Sequence, residues 1–594
     1  MAVLLLASPA LAQDNDAERL AAGLRPFFEV LSNNEPFTIS ANVQAPIDGK
    51  SIPVELRLAR FDDESFDLDV IHSEYSVRLR RRKDLTAFAL PHHKVVFIGR
   101  GDADKADHML PTGLIERLIS PASTVGQYAP LVIKNDIAVV APLLLQLAKL
   151  EFDANANTWS AGKAVTFSFA GEKSLELTVH GMKSTLKRTA VEKPLAADDW
   201  AGFKAVDLDR SELERQLVRG IRRATEVLAP SKALTKPDQK AKAVAHGELR
   251  WIGGQRVVLL SGTPEQIGTA HGQLLGDEAA RCIDSVLYSF GTFQTIRTGH
   301  WFRHDLEQAY SRLSPHIPER HKQETRAMAV ALHLDPKLAE ALNVFPEMFH
   351  CSGFAVFGSA TQGGKLYHGR VLDYMTSIGL QDSATTFIVA VEGKIPFANV
   401  GYAGFIGSVS GMNAKAISLG EMGGRGEGNW DGVPMATLMR RALEECTTLD
   451  EVMNLWKTNP RTCEYYYVFA DGKTNRAVGV AALPESIEFI EPGQSDPRLG
   501  DGIKDAVVLS AGSRLQELRS RVTKSHGQID AEVAQSFMCR PVAMQSNLHN
   551  VLFVPEDGVL YVANADHKSP AAERPYVKLN LNELLGSMKV VTQK

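Results

Sequence analysis

From Phe37 to Ile98 apolar and polar residues alternate in short runs, such as Val54-Glu55-Leu56-Arg57-Leu58, Phe66-Asp67-Leu68-Asp69-Val70 and Tyr75-Ser76-Val77-Arg78-Leu79. A period of two turns one face of a strand toward a core and leaves the other wet, which predicts antiparallel sheet. Asp48-Gly49, between two of these runs, is a hairpin signal. A helix is predicted over Ile137 to Leu150, with Asn135 or Asp136 capping its free N–H groups. Strands resume at Ala164 to Phe169 and Leu175 to His180. Residues 13–200 therefore read as a mainly antiparallel, sheet-rich α+β domain.

Farther along, Leu213, Leu217, Ile221, Ala224 and Leu228 recur three or four residues apart, predicting an amphipathic helix over Leu208 to Leu228. Ser211 and Glu214 have the spacing of a capping box near its start. Pro230 to Ala245 is polar, Lys-rich and marked by two prolines, so residues 201–246 read as helix and linker, followed by a second domain over 247–594. There Pro264 sits well for a first helical turn, and helices are predicted to continue to about Val344. A Gly-rich β segment from Cys351 to Leu419 follows, then a helix over Met435 to Trp456 and strands over Tyr465 to Val480. A further helix over Ser513 to Val522 and late strands over Val551 to Val562 complete the domain. Helices outside and between two runs of strands predict sheets covered by helices.

Composition narrows the function classes. Of the 594 residues 44% are hydrophobic and 23% charged, the profile of a folded globular chain. The 65 basic and 70 acidic side chains leave a net charge of -5, which argues against a nucleic-acid partner held by a basic surface. The basic run Arg80 to Lys83 reads as a solvated loop or strand end. Five cysteines are too scattered for a disulfide framework or a CxxC metal site. His92-His93 has no third ligand at metal spacing nearby, and no metal or cofactor is implied. Residues 1–12 end in Ala10-Leu11-Ala12, the small-x-small pattern of a signal-peptidase site, so a periplasmic or secreted location is expected; a frayed apolar terminus is the other reading. The longest later apolar stretch, Ala138 to Ala148, is too short to span a bilayer, so no integral membrane span is expected.

The segment with chemistry in it runs His350-Cys351-Ser352-Gly353-Phe354-Ala355-Val356-Phe357, then Gly364, then His368-Gly369-Arg370-Val371-Leu372-Asp373-Tyr374. A hairpin of this length returns Arg370 and Asp373 beside Cys351. A neighbouring cation favours thiolate, and a carboxylate can orient an amine. The same residues also admit a packing cysteine, an ordinary ion pair and, at Asn413, a turn residue in the Gly411-Met412-Asn413 bend.

A cysteine opening a strand, then Gly-Arg-x-x-Asp, then Gly411-Met412-Asn413-Ala414-Lys415, resembles the N-terminal-nucleophile (Ntn) hydrolases, and within them the isopenicillin N acyltransferase-like family, related to choloylglycine hydrolases and acid-ceramidase-type amidases. The Gly262-Thr263-Pro264-Glu265-Gln266-Ile267-Gly268 approach with His271-Gly272, the Gly432-x-Pro434 helix entry and the His549-Asn550-Val551-Leu552-Phe553-Val554-Pro555 run resemble that group too. The resemblance covers about Gly247 to the C-terminus. The first domain resembles the curved sheet of lipoprotein carriers in architecture only, without a motif.

The resemblance implies a four-layer αββα fold and a precursor that cuts itself between His350 and Cys351, leaving two associated chains. Cys351 would then be nucleophile and, through its α-amine of pKa ~8, base. It implies that Arg370 binds and polarises substrate, that Asp373 holds the α-amine, and that Asn413 donates to the oxyanion. Relatives often carry an Asn where this chain has Tyr466; Tyr466 and Tyr374 are taken as substrate-binding candidates. The implied activity is hydrolysis or transfer of an acyl group from a small acyl-amide, with no cofactor. An esterase or phospholipase-B-like activity on the same scaffold, and an exported lipid- or partner-binding protein without catalysis, are the alternatives.

Overall fold

In a computed structural model the chain is described over residues 9–32, 35–47, 50–111, 113–162, 165–179, 181–191, 193–344, 351–424 and 428–588. The Asp48-Gly49 turn, His350 and the first residues of the leader lie outside these. The fold is α+β, in two compact units: residues 1–231 with 288–301, and residues 232–287 with 302–594. The division falls inside the Pro-rich stretch. The helix Arg210–Leu228 packs within the first unit: Leu213, Leu217 and Val218 join Phe66, Phe88, Phe97 and Trp301 in one core.

The first unit is built on a twelve-stranded sheet. Its central run from Phe37–Ile47 through Lys50–Arg60, Phe66–Ile71, Val77–Arg82, Leu85–Leu90 and Val95–Arg100 is antiparallel, as the alternation predicts. Among the described residues of this sheet, only the edge strand Lys204–Asp209 is parallel to its neighbour. Ile137–Ala148 is helical, capped by Asp136, whose carboxylate accepts from the Ala138 N–H.

Two local expectations fail for one reason, burial of charge. Arg80 and Arg81 are not solvated but buried: Arg80 donates to Asp69 at 2.8 Å and Arg81 to Glu214 at 3.1 Å. Glu214 is likewise no capping residue. It also accepts from Thr86, Arg210 and the Met109 N–H, while Asp209 caps the helix through the Glu212 N–H. Leu228, at the helix end, is exposed rather than on the apolar face. A run of arginines reads as surface until the acidic partners on the adjacent strand and on the packed helix are in view.

The second unit has two sheets. Ten strands run from Lys242–Val244 to Ile487–Ile490, antiparallel except where Gln255–Gly262 meets Ala384–Val391. Six antiparallel strands follow the order Ala506–Leu509, Ser352–Gly358, Gly364–Asp373, Asn547–Val554, Val559–Asn564, Val577–Asn580. Val257, Ile388, Val400 and Met412 of the first sheet meet Val551, Phe553 and Val562 of the second in a shared core. The outer face of the ten-stranded sheet packs on the helices Pro264–Leu274, Met435–Glu445 and Leu449–Thr458, and that of the six-stranded sheet on Gly512–Lys524 and Ala531–Phe537. The layers are therefore helix, sheet, sheet, helix. The helix predicted over Met435 to Trp456 is two helices, because Thr448 starts a new one with a reciprocal capping box to Glu451. Thr263 and Gln266 form the same box with Pro264 in the first turn, as its position predicts.

Replacing Phe553, fully buried where the two sheets meet, by alanine is expected to lower stability by about 3–5 kcal/mol in denaturant unfolding, from lost burial and the cavity left behind.

Candidate active site

Cys351 stands at the foot of the strand Ser352–Gly358, which pairs with Gly364–Asp373 so that Ser352 lies opposite Val371 and Gly353 opposite Arg370. The hairpin returns Arg370 and Asp373 to the strand end that carries Cys351. Alternation then sorts the side chains. Phe354, Val356 and Val371 point to the outer helices, while His368 and Arg370 reach across to Ser418 and Glu421 of the ten-stranded sheet. Two glycines keep this space open: a Cβ on Gly353 would collide with the Met422 side chain, and one on Gly420 would lie 3.0 Å from Arg370 Cδ.

Arg370 is completely buried. Its Nη2 donates to Glu421 at 3.2 Å, and its other nitrogens face the carbonyls of Val371 and Val409. Cys351 is buried beside it, 4% exposed. Burial pushes the thiol up to about 12; Arg370 pulls it down, and the carboxylates of Glu421 and Asp373 push it up. In the intact chain the sulfur is therefore a thiol at neutral pH, resting beside a fixed cation.

Asp373 is held from the opposite side. Arg514 donates to it at 2.5 Å and the Met544 N–H at 2.9 Å, and burial raises its carboxyl to about 6 against the pull of that N–H, Arg514 and Arg370. Glu421 also accepts from the Gly423 N–H, and burial raises it to about 7 while Arg370 opposes. Glu421 and Arg514 carried no signal in the sequence. One lies just past the Gly-Met-Asn motif and the other in a helix with no local chemistry, and only the packing of both sheets brings them to Arg370 and Asp373.

Asn413 is corrected. Its Nδ2 donates to the carbonyls of Leu443 and Cys446 at 3.0 and 2.9 Å, and its Oδ1 accepts from the Lys415 and Ile417 N–H groups. It ties a tight turn to the end of the helix Met435–Glu445. Met412 and Ser410, its alternate neighbours, are the ones that face the six-stranded sheet. With both donors taken on the helix side, Asn413 has none left for an oxyanion. It is the turn residue that the sequence also allowed.

Tyr466 is half-buried and donates to Glu464, so it does not stand in for an amide donor at the sulfur. Tyr374 is buried and lines a small apolar pocket of about 50 Å³ together with Cys282, Leu372, Leu380, Tyr402 and Leu548. The Tyr402 hydroxyl meets His549 Nδ1 at 3.1 Å, and His549 Nε2 meets Ser410 Oγ at 2.9 Å, forming a buried chain from the cavity wall into the sheet interface. Burial keeps His549 far below its ordinary pKa, with Arg370 adding to the effect, so the ring is neutral. Arg370 and Cys351 both lie within electrostatic reach of Tyr402. Val409, which lines the same pocket, accepts from Arg370 Nε through its carbonyl.

Parts of the chain are similar to known proteins. Residues 359–491 match the family model described as acyl-coenzyme A:6-aminopenicillanic acid acyl-transferase. The match contains Arg370, Asp373, Asn413 and Tyr466 and begins after Cys351. The chain is also 23% identical over 395 residues to protein dcd1A of Dictyostelium discoideum, covering 57% of this chain and 88% of that protein. Among solved structures it is similar to a Caenorhabditis elegans N-acylethanolamine-hydrolyzing acid amidase ortholog (15% identity, TM-score 0.31, 38% of this chain and 99% of that one). It is also similar to a conjugated bile acid hydrolase from Clostridium perfringens (13% identity, TM-score 0.24, 39% and 96%). The family match supports a hydrolase or acyltransferase of the Ntn type acting on an amide.

Two outcomes test the geometry. Asn413→Ala is expected to cost about 1–3 kcal/mol in urea unfolding, because it strands buried backbone groups at both ends of its bonds. Glu421 is raised from 4.5 to about 7 in the folded state, so that state binds the extra proton and its advantage is lost as pH rises through that window. Wild type is therefore expected to lose thermal stability relative to Glu421→Gln between pH 4.5 and about 7. A pH-independent difference between the two would contradict this assignment.

Proposed function

We propose that the C-terminal unit is a self-cleaving cysteine Ntn hydrolase or acyltransferase that acts on an N-acyl amide through a Cys351 thioester. The observation that carries the reading is the pairing of the buried Cys351 thiol with Arg370, whose Nε donates to the carbonyl of Val409 in the lining of the apolar pocket. In the precursor the sulfur attacks the carbonyl carbon of residue 350, an N-to-S shift gives a thioester, and water releases the upstream chain. The freed α-amine of Cys351, with a reference pKa of ~8, then serves as base near neutral pH.

In turnover this amine takes the thiol proton as Sγ attacks the substrate carbonyl, and the C–N bond breaks with that proton passing to the leaving amine. Water, or a second amine in transfer, then attacks the thioester and regenerates the thiol. The protonated thiol of the intact chain agrees with a group that gains its base only on cleavage. Arg370 orients the carbonyl end, and Asp373, fixed by Arg514, stands at the strand end where the new amine appears. The apolar lining of the small pocket beside Tyr374 and Tyr402 suits an apolar group next to the scissile bond.

The two chains stay together on this reading. The upstream fragment contributes Lys242–Val244, Gly247–Ile252 and Gln255–Gly262 to the ten-stranded sheet, the last of them an interior strand against Ala384–Val391. We further propose export with removal of residues 1–12, supported by the Ala10-Leu11-Ala12 pattern.

Mature wild-type protein is expected to run as two fragments in denaturing gels and Cys351→Ala as one, with N-terminal sequencing finding Gln13 on the larger piece and Cys351 on the smaller. An intact wild-type chain that hydrolyses no N-acyl amide would leave the binding-protein alternative in its place.

A further inference from the structure

The first unit carries an apolar surface that neither its own core nor the proposed chemistry uses. Of the exposed large hydrophobic side chains, Val125, Tyr128, Leu131, Val139 and Leu143 fall on two consecutive helices, Thr124–Lys134 and Ile137–Ala148, and are 40% to 62% exposed. They are not leftovers of the core. The second helix already buries Ile137, Val140, Ala141 and Leu145 against Ala17, Leu20 and Ala21 of the helix Pro9–Ser32. Val139 and Leu143 occupy the other face beside the uncharged Gln146, and exposed aliphatic side chains on that face call for a partner.

The charges around this hairpin indicate the partner. Lys134 and Asp136 stand at its turn and Lys149 at its far end, with no other ionisable side chain except Tyr128 from 124 to 149. Arg25 lies 4.0 Å from Asp136, so the rim of the apolar face is net basic. In a symmetric self-association the same patch meets itself and basic rim would face basic rim. An anionic bilayer complements it.

Depth follows from length and from one proline. Helices of 11 and 12 residues cannot cross about 30 Å of hydrocarbon. The exposed Pro142 has no N–H to give the Ala138 carbonyl, which favours the hydrated headgroup level over the lipid core. A phenol, aliphatic side chains and flanking lysines form the usual set of an interfacial element.

We infer that the hairpin Thr124–Ala148 is a membrane-docking element that seats Val125, Tyr128, Leu131, Val139 and Leu143 at the headgroup–acyl boundary of an anionic lipid surface. This goes beyond the catalytic reading and stands on the first unit alone.

The test is flotation of the full-length protein with phosphatidylcholine vesicles, with and without about a third phosphatidylglycerol. Wild type is expected to float with the anionic vesicles. Val139→Asp with Leu143→Asp is expected to lower the bound fraction about tenfold or more, and Lys134→Glu to weaken only the anionic preference. Circular dichroism checks that the variants fold. Independently of them, Val139→Trp is expected to show a blue shift in emission when anionic vesicles are added. Wild type that stays at the bottom with both vesicle types overturns the proposal, as does a doubly charged variant that folds and floats like wild type. So does a wild-type dimer that the double variant converts to monomer without any flotation, since the face would then be a self-association surface.

Discussion

A guanidinium sealed between two sheets is the constraint around which the second unit is arranged. An unpaired cation at Arg370 would be prohibitive in that interior, so the six-stranded sheet that carries it must meet the ten-stranded sheet where Glu421 and the Val409 carbonyl can receive it. The requirement fixes the lateral register of the sheets. It also accounts for Gly420, whose missing side chain leaves room for Arg370, and for Gly353, which leaves room for Met422. Cys351 then inherits its electrostatic surroundings from a residue pair that the fold has to make.

The same arrangement explains why the sulfur is quiet in the intact chain. Burial outweighs the pull of Arg370, and Glu421 and Asp373 add negative potential on the same side. A thiol held at about 12 needs a nearby base before it can attack. His549 and His368 are neutral but buried and already engaged with Ser410 and Ser418. A backbone amine released at Cys351 itself would be the most direct remedy, and it needs no movement of the sheets.

The first unit handles polarity differently. Its interior contains several charges, with Arg80, Arg81, Arg210 and Glu214 all buried and mutually satisfied. Its surface meanwhile contains an apolar helical hairpin. Such an inversion is costly for a freely dissolved domain, because arginine and glutamate must be desolvated while valine and leucine stay wet. A unit that works against another surface relieves the second of these costs.

Much of this was legible along the chain, because local periodicity and short-range chemistry are sequence properties. The alternating strands before Ile98, the Asp136 cap, the Thr263 start with Pro264, and the hairpin that folds Arg370 back on Cys351 follow from spacing alone. The motif order also located the region that matches the acyltransferase family model. What the sequence by itself determined, then, was the succession of elements and the hairpin that sets Arg370 beside Cys351. Tertiary structure decided which face each side chain presents and who stands opposite. It turned Asn413 toward a helix end, buried the arginine run, and brought Glu421 and Arg514 to the site from other strands and helices. The physical reason is that burial, and with it the sign and strength of every charge interaction, is set by contacts between segments far apart in the chain, and residue spacing carries no record of them.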